Sequence, residues 1–152
     1  MARRGLLISV KPKYAEMLLT GTKTVELRRI RPSISAGDWV LVYASSPRKA
    51  LLGAFQVAEV NEANPETLWR KVGSQVGISY DDFCEYFRGT CRGTGIHVGR
   101  TIRFPEPTPL QQMREIVPGF NPPQSYTYAS AGSILGDVLL ELVEECGSTG
   151  ES

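Results

Sequence analysis

The chain has 152 residues, 41% of them hydrophobic and 22% charged, with a net charge of +1. Such a length suits one core, the apolar content excludes disorder, and runs such as Trp39 to Ala44 are far shorter than the roughly 20 residues that cross a bilayer. The charge is unevenly spread: residues 1–50 hold ten basic against three acidic side chains, whereas residues 104–152 hold one against seven, so a basic, phosphate-attracting face and a separate acidic end are expected.

From the N-terminus, Leu6 to Val10 is a short apolar run with β-branched residues, which reads as a buried strand. It is too short for a signal-peptide core and lacks a cleavage pattern, so a cytoplasmic protein with no membrane partner is expected. Pro12 suits the first turn of a helix, Tyr14, Met17 and Leu18 share one helical face, and Gly21 supplies the stop. Lys23 to Arg29 alternates, with Val25 and Leu27 on one side and Thr24, Glu26 and Arg28 on the other. After Pro32 and the Gly37-Asp38 turn, Trp39 to Ala44 and Leu51 to Val60 read as two strands separated by Ser45-Ser46-Pro47.

Two short helices are expected next, with Asn64 and Ser79 as N-caps and acidic residues in their first turns. Gly95 to Phe104 returns to strand alternation, and Pro109 to Val117 reads as a further short helix. The turn-rich Pro118 to Pro123 then leads into a last strand over Gln124 to Tyr128. In the tail, Ile134, Val138 and Leu142 recur at helical spacing beside acidic residues, which predicts an amphipathic helix near 133–145 docked on the body or on a second copy of the chain, and a frayed end from Gly147. The domain expectation is one body over 1–129 and a helical tail over 130–152. Cys84, Cys91 and Cys146 form neither an even set nor a CxxC pair, so reduced thiols are expected; with the single His97 they show no zinc spacing, and neither a metal nor another cofactor is expected.

The chemistry concentrates in Gly21-Thr22-Lys23-Thr24-Val25-Glu26-Leu27-Arg28. Alternation puts Glu26 and Arg28 on one strand face, with Lys23 at the junction able to turn toward them. Three such charges together either neutralise one another or await a polar ligand. At the ends of neighbouring strands, Ser9, Lys11, Tyr43, Ser45, Gln124 and Ser125 offer cation, hydroxyl, amide and ring groups suited to phosphate and to an unpaired base. Arg28, Arg29 and Arg31 form a further candidate for phosphate contact.

Gly21, Lys23, Glu26 and Arg28 match all four fixed positions of GxKxxExR, and with the strand and helix before them and Gly37-Asp38-Trp39 after them the segment resembles the ASCH family. The resemblance spans about residues 6–128 and implies an α+β fold: a small PUA-like β-barrel with short flanking helices. It also implies a cleft lined by the signature residues Lys23, Glu26 and Arg28 that binds RNA, a nucleotide or a nucleoside; from its ring at a strand end beside that cleft, Tyr43 is expected to stack on a base. Some relatives remove an acetyl group from acetylcytidine, and ribonuclease activity is attributed to others, so a hydrolase using Lys23 and Glu26 is the alternative to a binding module. A regulatory protein-interaction domain working through the acidic tail is the third reading. Against the amidohydrolases the chain carries Glu26 where they have a nucleophilic Thr, and their catalytic Glu registers near Val76. Thr24 is displaced by two residues, roughly 7 Å along a strand.

Overall fold

The computed structural model describes residues 5–129 and 132–149; within the last helix the side chains of Leu139 and of residues 146–149 lie outside the described set. Expectations placed on the Cys146 side chain and on residues 150–152 therefore fall outside it as well. The elements run β1 (Gly5–Val10), α1 (Pro12–Thr20), β2 (Val25–Arg28), β3 (Trp39–Ala44), β4 (Ala50–Ala63), α2 (Pro65–Val72), α3 (Tyr80–Tyr86), β5 (Gly93–Pro109), α4 (Leu110–Ile116), β6 (Tyr126–Tyr128) and α5 (Ile134–Thr149). No helix among the described residues is long and apolar enough to cross a membrane.

Local chemistry explains most of these boundaries. Pro12 opens α1 and Gly21, at φ 86°, closes it in the left-handed conformation. Asn64 and Ser79 cap α2 and α3 by accepting from the Thr67 and Asp82 backbone N–H groups. The face of α1 that is buried carries Ala15, Leu18 and Leu19, with Tyr14 partly covered. The strands β4 and β5 are longer than expected, because they pair with one another well past their apolar stretches, through Ala63 and Gly93 at one end and Ala50 and Pro109 at the other.

The six strands form one sheet in the order β2-β5-β4-β3-β1-β6. Side-chain alternation sorts its apolar residues onto two faces. One face carries Leu6, Ile8, Val40, Val42, Phe55 and Ile96 and is covered by α1. The opposite face carries Leu7, Leu41, Tyr43, Ile102 and Phe104, packed with Met113 of α4 and Val143 of α5, and farther along it Val25 and Leu27, packed with Leu68 of α2 and Phe83 of α3. The edge strands β2 and β6 are not paired to each other, yet Arg28 on β2 reaches Ser125 just before β6. A side chain can bridge opposite edges only if the sheet curls toward the face that bears it. The expected barrel is thus a half-barrel, curled around α1 and fastened across its seam by side chains.

The tail differs from its expectation in register. Gly136, Leu140 and Val143, spaced at i, i+4 and i+7, are buried, and Leu135 and Leu142 pack partly beside them, whereas Ile134 is 69% exposed. The contact stripe is therefore rotated from the Ile134, Val138, Leu142 line. The helix also continues through Thr149, past the Gly147 where fraying was expected.

Candidate functional site

The signature charges are brought together, but inside the protein. Lys23, Glu26 and Arg28 are 3%, 5% and 6% exposed. Glu26 and Arg28 sit opposite Ile96 and Thr94 of β5, on the face that curls around α1. A Glu26 carboxylate oxygen accepts from Arg28 Nη2 at 2.6 Å, and the other lies 3.7 Å from Lys23 Nζ. Lys23 Nζ also donates to the Val76 carbonyl at 2.5 Å and lies 5.6 Å from the Tyr14 ring centre. Gly77, at φ +70°, makes this approach feasible: a Cβ there would meet Met17 Cε at 2.7 Å and Lys23 Cβ at 3.3 Å.

The electrostatics follow from that burial. Desolvation holds the pKa of Lys23 below the ordinary lysine value, with Arg28 acting in the same direction and Glu26 opposing both. Residue 76, reached in sequence as the counterpart of a catalytic Glu, does lie against Lys23. It offers its backbone carbonyl, while the Val76 side chain is fully buried in the apolar cluster under α2 and α3. The cluster is self-satisfied except that Arg28 Nε has no hydrogen-bond partner among the described residues.

A separate groove of about 340 Å³ lies at the ends of β1 and β3. Ser9 and Tyr43 are register partners in the parallel β1/β3 pair, so both face the side opposite the charge cluster, continuing the line of Leu7 and Leu41. Ser45 and Ser46 follow β3, and Lys49, exposed and at φ 49°, ends the turn into β4. Leu110 at the start of α4 and the segment Pro122 to Gln124 complete the walls. The volume suits a small ligand group or a single nucleotide, since ligand pockets start at about 300 Å³.

Of the expected site residues, Ser9, Tyr43, Ser45 and Gln124 line this groove, Lys23, Glu26 and Arg28 form the buried cluster, and Lys11 is exposed at the N-cap of α1 outside both. Ser125 joins the two. Arg28 Nη1 donates to its hydroxyl at 2.8 Å and to its carbonyl at 3.3 Å, and the same carbonyl accepts from the Ser9 backbone N–H at 3.0 Å. The buried charges thus hold the segment that carries Gln124 into the groove. The single shared cleft expected from sequence is divided by strand alternation into a cluster and a groove that meet at Ser125. The Tyr43 ring is only 2% exposed, which leaves no face for a base to stack on; burial raises its pKa, against the opposing charge of Arg114, so the hydroxyl stays protonated at neutral pH. Lys49 is the groove's cation and was missed in sequence; the available signal was its place in a polar turn just beyond a strand end that carries a tyrosine.

Of the other expected cations, Arg29 stacks over Tyr86 at 4.7 Å and Arg31 pairs with Glu62 at 2.8 Å. Cys84 and Cys91 are free and exposed. Among the described residues no group of three His, Cys, Asp or Glu side chains is placed to hold a metal ion.

A curled half-barrel sheet with helices on both faces, a buried Lys-Glu-Arg cluster and a polar groove at its strand ends defines a small α+β domain. The chain belongs to the ASCH domain family, whose pattern it matches over residues 8–122. It is 34% identical over 128 residues to a Zymomonas mobilis protein named "ASCH domain-containing ribonuclease", a match spanning 83% of this chain and 84% of that one. The crystal structure of ASCH from Zymomonas mobilis superimposes with a TM-score of 0.81 at 29% identity, covering 91% of this chain and 94% of that chain. A tyrosine-to-phenylalanine variant of the Zymomonas protein gives a TM-score of 0.82, with 92% and 99% coverage, and a serine-to-alanine variant gives 0.81.

Proposed function

We propose that this protein is a ribonuclease that takes single-stranded RNA into the groove between Tyr43, Lys49 and Gln124, with the Lys23, Glu26 and Arg28 cluster as its frame. The observation that carries the reading is the groove's chemistry: an exposed ammonium, a protonated buried tyrosine, three serines and an amide around a space of one nucleotide. Support also comes from the 34% identical relative named a ribonuclease. The Zymomonas protein has been crystallised with one tyrosine and with one serine altered, and this groove presents residues of both kinds.

In this reading Lys49 neutralises the scissile phosphate, Gln124 reads a base edge, and Leu110 with Pro122 and Pro123 covers the base's apolar face. The 2′-oxygen attacks phosphorus, its proton passing to solvent, and the bond from phosphorus to the 5′-oxygen breaks. That oxygen takes a proton from the Tyr43 hydroxyl, which solvent then restores. Placement and charge stabilisation supply most of the acceleration. A Lys23/Glu26 active site receives less support, because both side chains are buried and partnered. For the same reason deacetylation of acetylcytidine is not expected.

The test is to incubate the protein with end-labelled single-stranded RNA and with duplex DNA and to identify the product ends. Cleavage of the RNA alone, leaving 2′,3′-cyclic phosphate ends, is the expected result. RNA bound in a salt-dependent way but left intact would make the groove a binding module, and neither binding nor cleavage would remove the RNA reading.

A further inference from the structure

We propose a second nucleotide subsite at the far end of the seam, where Arg31 and Tyr128 receive the phosphate and base of an RNA residue flanking the one in the groove. This rests on the reading of the groove as an RNA site and extends it. A second cavity, of about 220 Å³, is lined by Arg31, Ser33, Ile34 and Ser35 in the segment between β2 and β3. Ile34 is buried against the α1-covered core and so pins this segment, while the side chains on either side of it face outward.

Tyr128 stands beside this cavity as a fixed aromatic surface. Its hydroxyl accepts from the Ser33 backbone N–H at 2.9 Å, and its ring meets Tyr126 edge-on at 5.8 Å. It is nevertheless 44% exposed. A ring held at its tip and at its edge, with a face left to solvent, loses little entropy when a base stacks on it. Ile30, 74% exposed on the same segment, adds apolar surface that the core does not use.

The charge at the cavity can be redirected. Arg31 and Glu62 are 42% and 31% exposed, so their pairing is weak and exchangeable. Glu62 also has Arg92 at 3.6 Å, and keeps a cation when Arg31 turns to a phosphate. The nearby Asp38 carboxylate is engaged by the Ser35 backbone N–H at 2.9 Å. Continuity with the groove comes from the chain itself: Gln124 lines the groove and Tyr128 reaches the second cavity, four residues along the edge strand, roughly 13 Å in extended geometry. Tyr128 pairs with Leu6 and so faces the α1-covered side, and a single strand passing from the groove over the edge of β6 would meet it next.

The experiment measures binding of fluorescein-labelled 2′-O-methyl uridylates, which resist cleavage, as a mononucleotide and as an oligomer of roughly four nucleotides. The wild-type protein should bind the oligomer about tenfold more tightly. Tyr128→Ala should lose most of that gain without changing affinity for the mononucleotide, and Tyr128→Phe, which keeps the ring, should retain it. Arg31→Ala should reduce the slope of log oligomer affinity against log salt by about 0.7, one phosphate contact on a single strand. A length gain that persists in Tyr128→Ala, or that is lost equally in Tyr128→Phe, would overturn the subsite. Failure of the groove reading shows separately, as mononucleotide binding that Lys49→Ala leaves unchanged.

Discussion

The buried cluster and the groove use similar polar groups for opposite purposes. In the cluster, Lys23, Glu26 and Arg28 come from one short stretch and turn their charges on one another at 3.7 and 2.6 Å, out of water. In the groove, Ser9, Tyr43, Lys49 and Gln124 come from four separate parts of the chain and leave Lys49 and Gln124 exposed. A compact motif with satisfied charges holds structure, and a dispersed set with outward-facing donors is available to a ligand. Ser125, held from beneath by Arg28 and exposed above, couples the one to the other.

The comparison breaks most visibly at Glu26. Glu26→Ala leaves two cations buried without their carboxylate, and should cost about 3 to 5 kcal/mol of stability, read from urea unfolding. Retention of full stability would mean that the cluster is not the frame described here. In the groove, Tyr43→Phe keeps the ring that packs with Leu41 and Phe104 and removes only the hydroxyl. RNA cleavage should then fall about a hundredfold with little change in melting temperature, as expected for loss of a proton donor. An equal loss in cleavage and stability would assign Tyr43 to the core alone.

The lysine of the cluster also has a pH signature. Its folded-state pKa lies below the ordinary 10.5, so the unfolded chain binds more protons between those two values and stability rises with pH across that window. Below the folded-state pKa the cost of burying the ammonium is fully present. Unfolding of the wild type and of Lys23→Met, followed across the alkaline range below 10.5, should show the rise in the first and not in the second. The smallest effect belongs to the exposed pair of Glu16 and Arg103, joined by two 2.7 Å hydrogen bonds and each 46% exposed. The hydrogen bonds and charge of Arg103 lower the Glu16 pKa, so this contribution is present at neutral pH and is lost as acid protonates Glu16. Arg103→Ala should cost less than about 1 kcal/mol, in contrast with Glu26→Ala, because solvent screens the pair.

Much of the fold was legible because its signals are local. Trp39 to Ala44 was read with its observed limits, and Asn64 and Ser79 cap the helices expected of them, since capping and alternation depend on a few adjacent residues. The charge cluster was legible too, through the alternation that puts Glu26 and Arg28 on one face. What escaped depends on how distant elements meet. Their place at strand ends grouped Ser9 and Tyr43 together with the charges, but only the parallel register of β1 and β3 and the curl of the sheet place them on the face away from Glu26. Lys49, in a short turn with no motif around it, becomes a groove residue only when α4 and the Pro122-Pro123 segment fold over it. The tail stripe was displaced for a similar reason: Gly136, with no side chain to count as apolar, marks the contacting face that Leu140 and Val143 continue.

Whether the groove rather than the cluster handles RNA is tested most directly by Lys49→Ala. Lys49 is exposed, so its removal should leave the melting temperature unchanged. Under single-turnover conditions the cleavage rate of a labelled single-stranded RNA should drop about a hundredfold or more, as when one preorganised charge-stabilising group is lost from an active site. Cleavage at the wild-type rate by Lys49→Ala would contradict the account and return attention to Lys23 and Glu26.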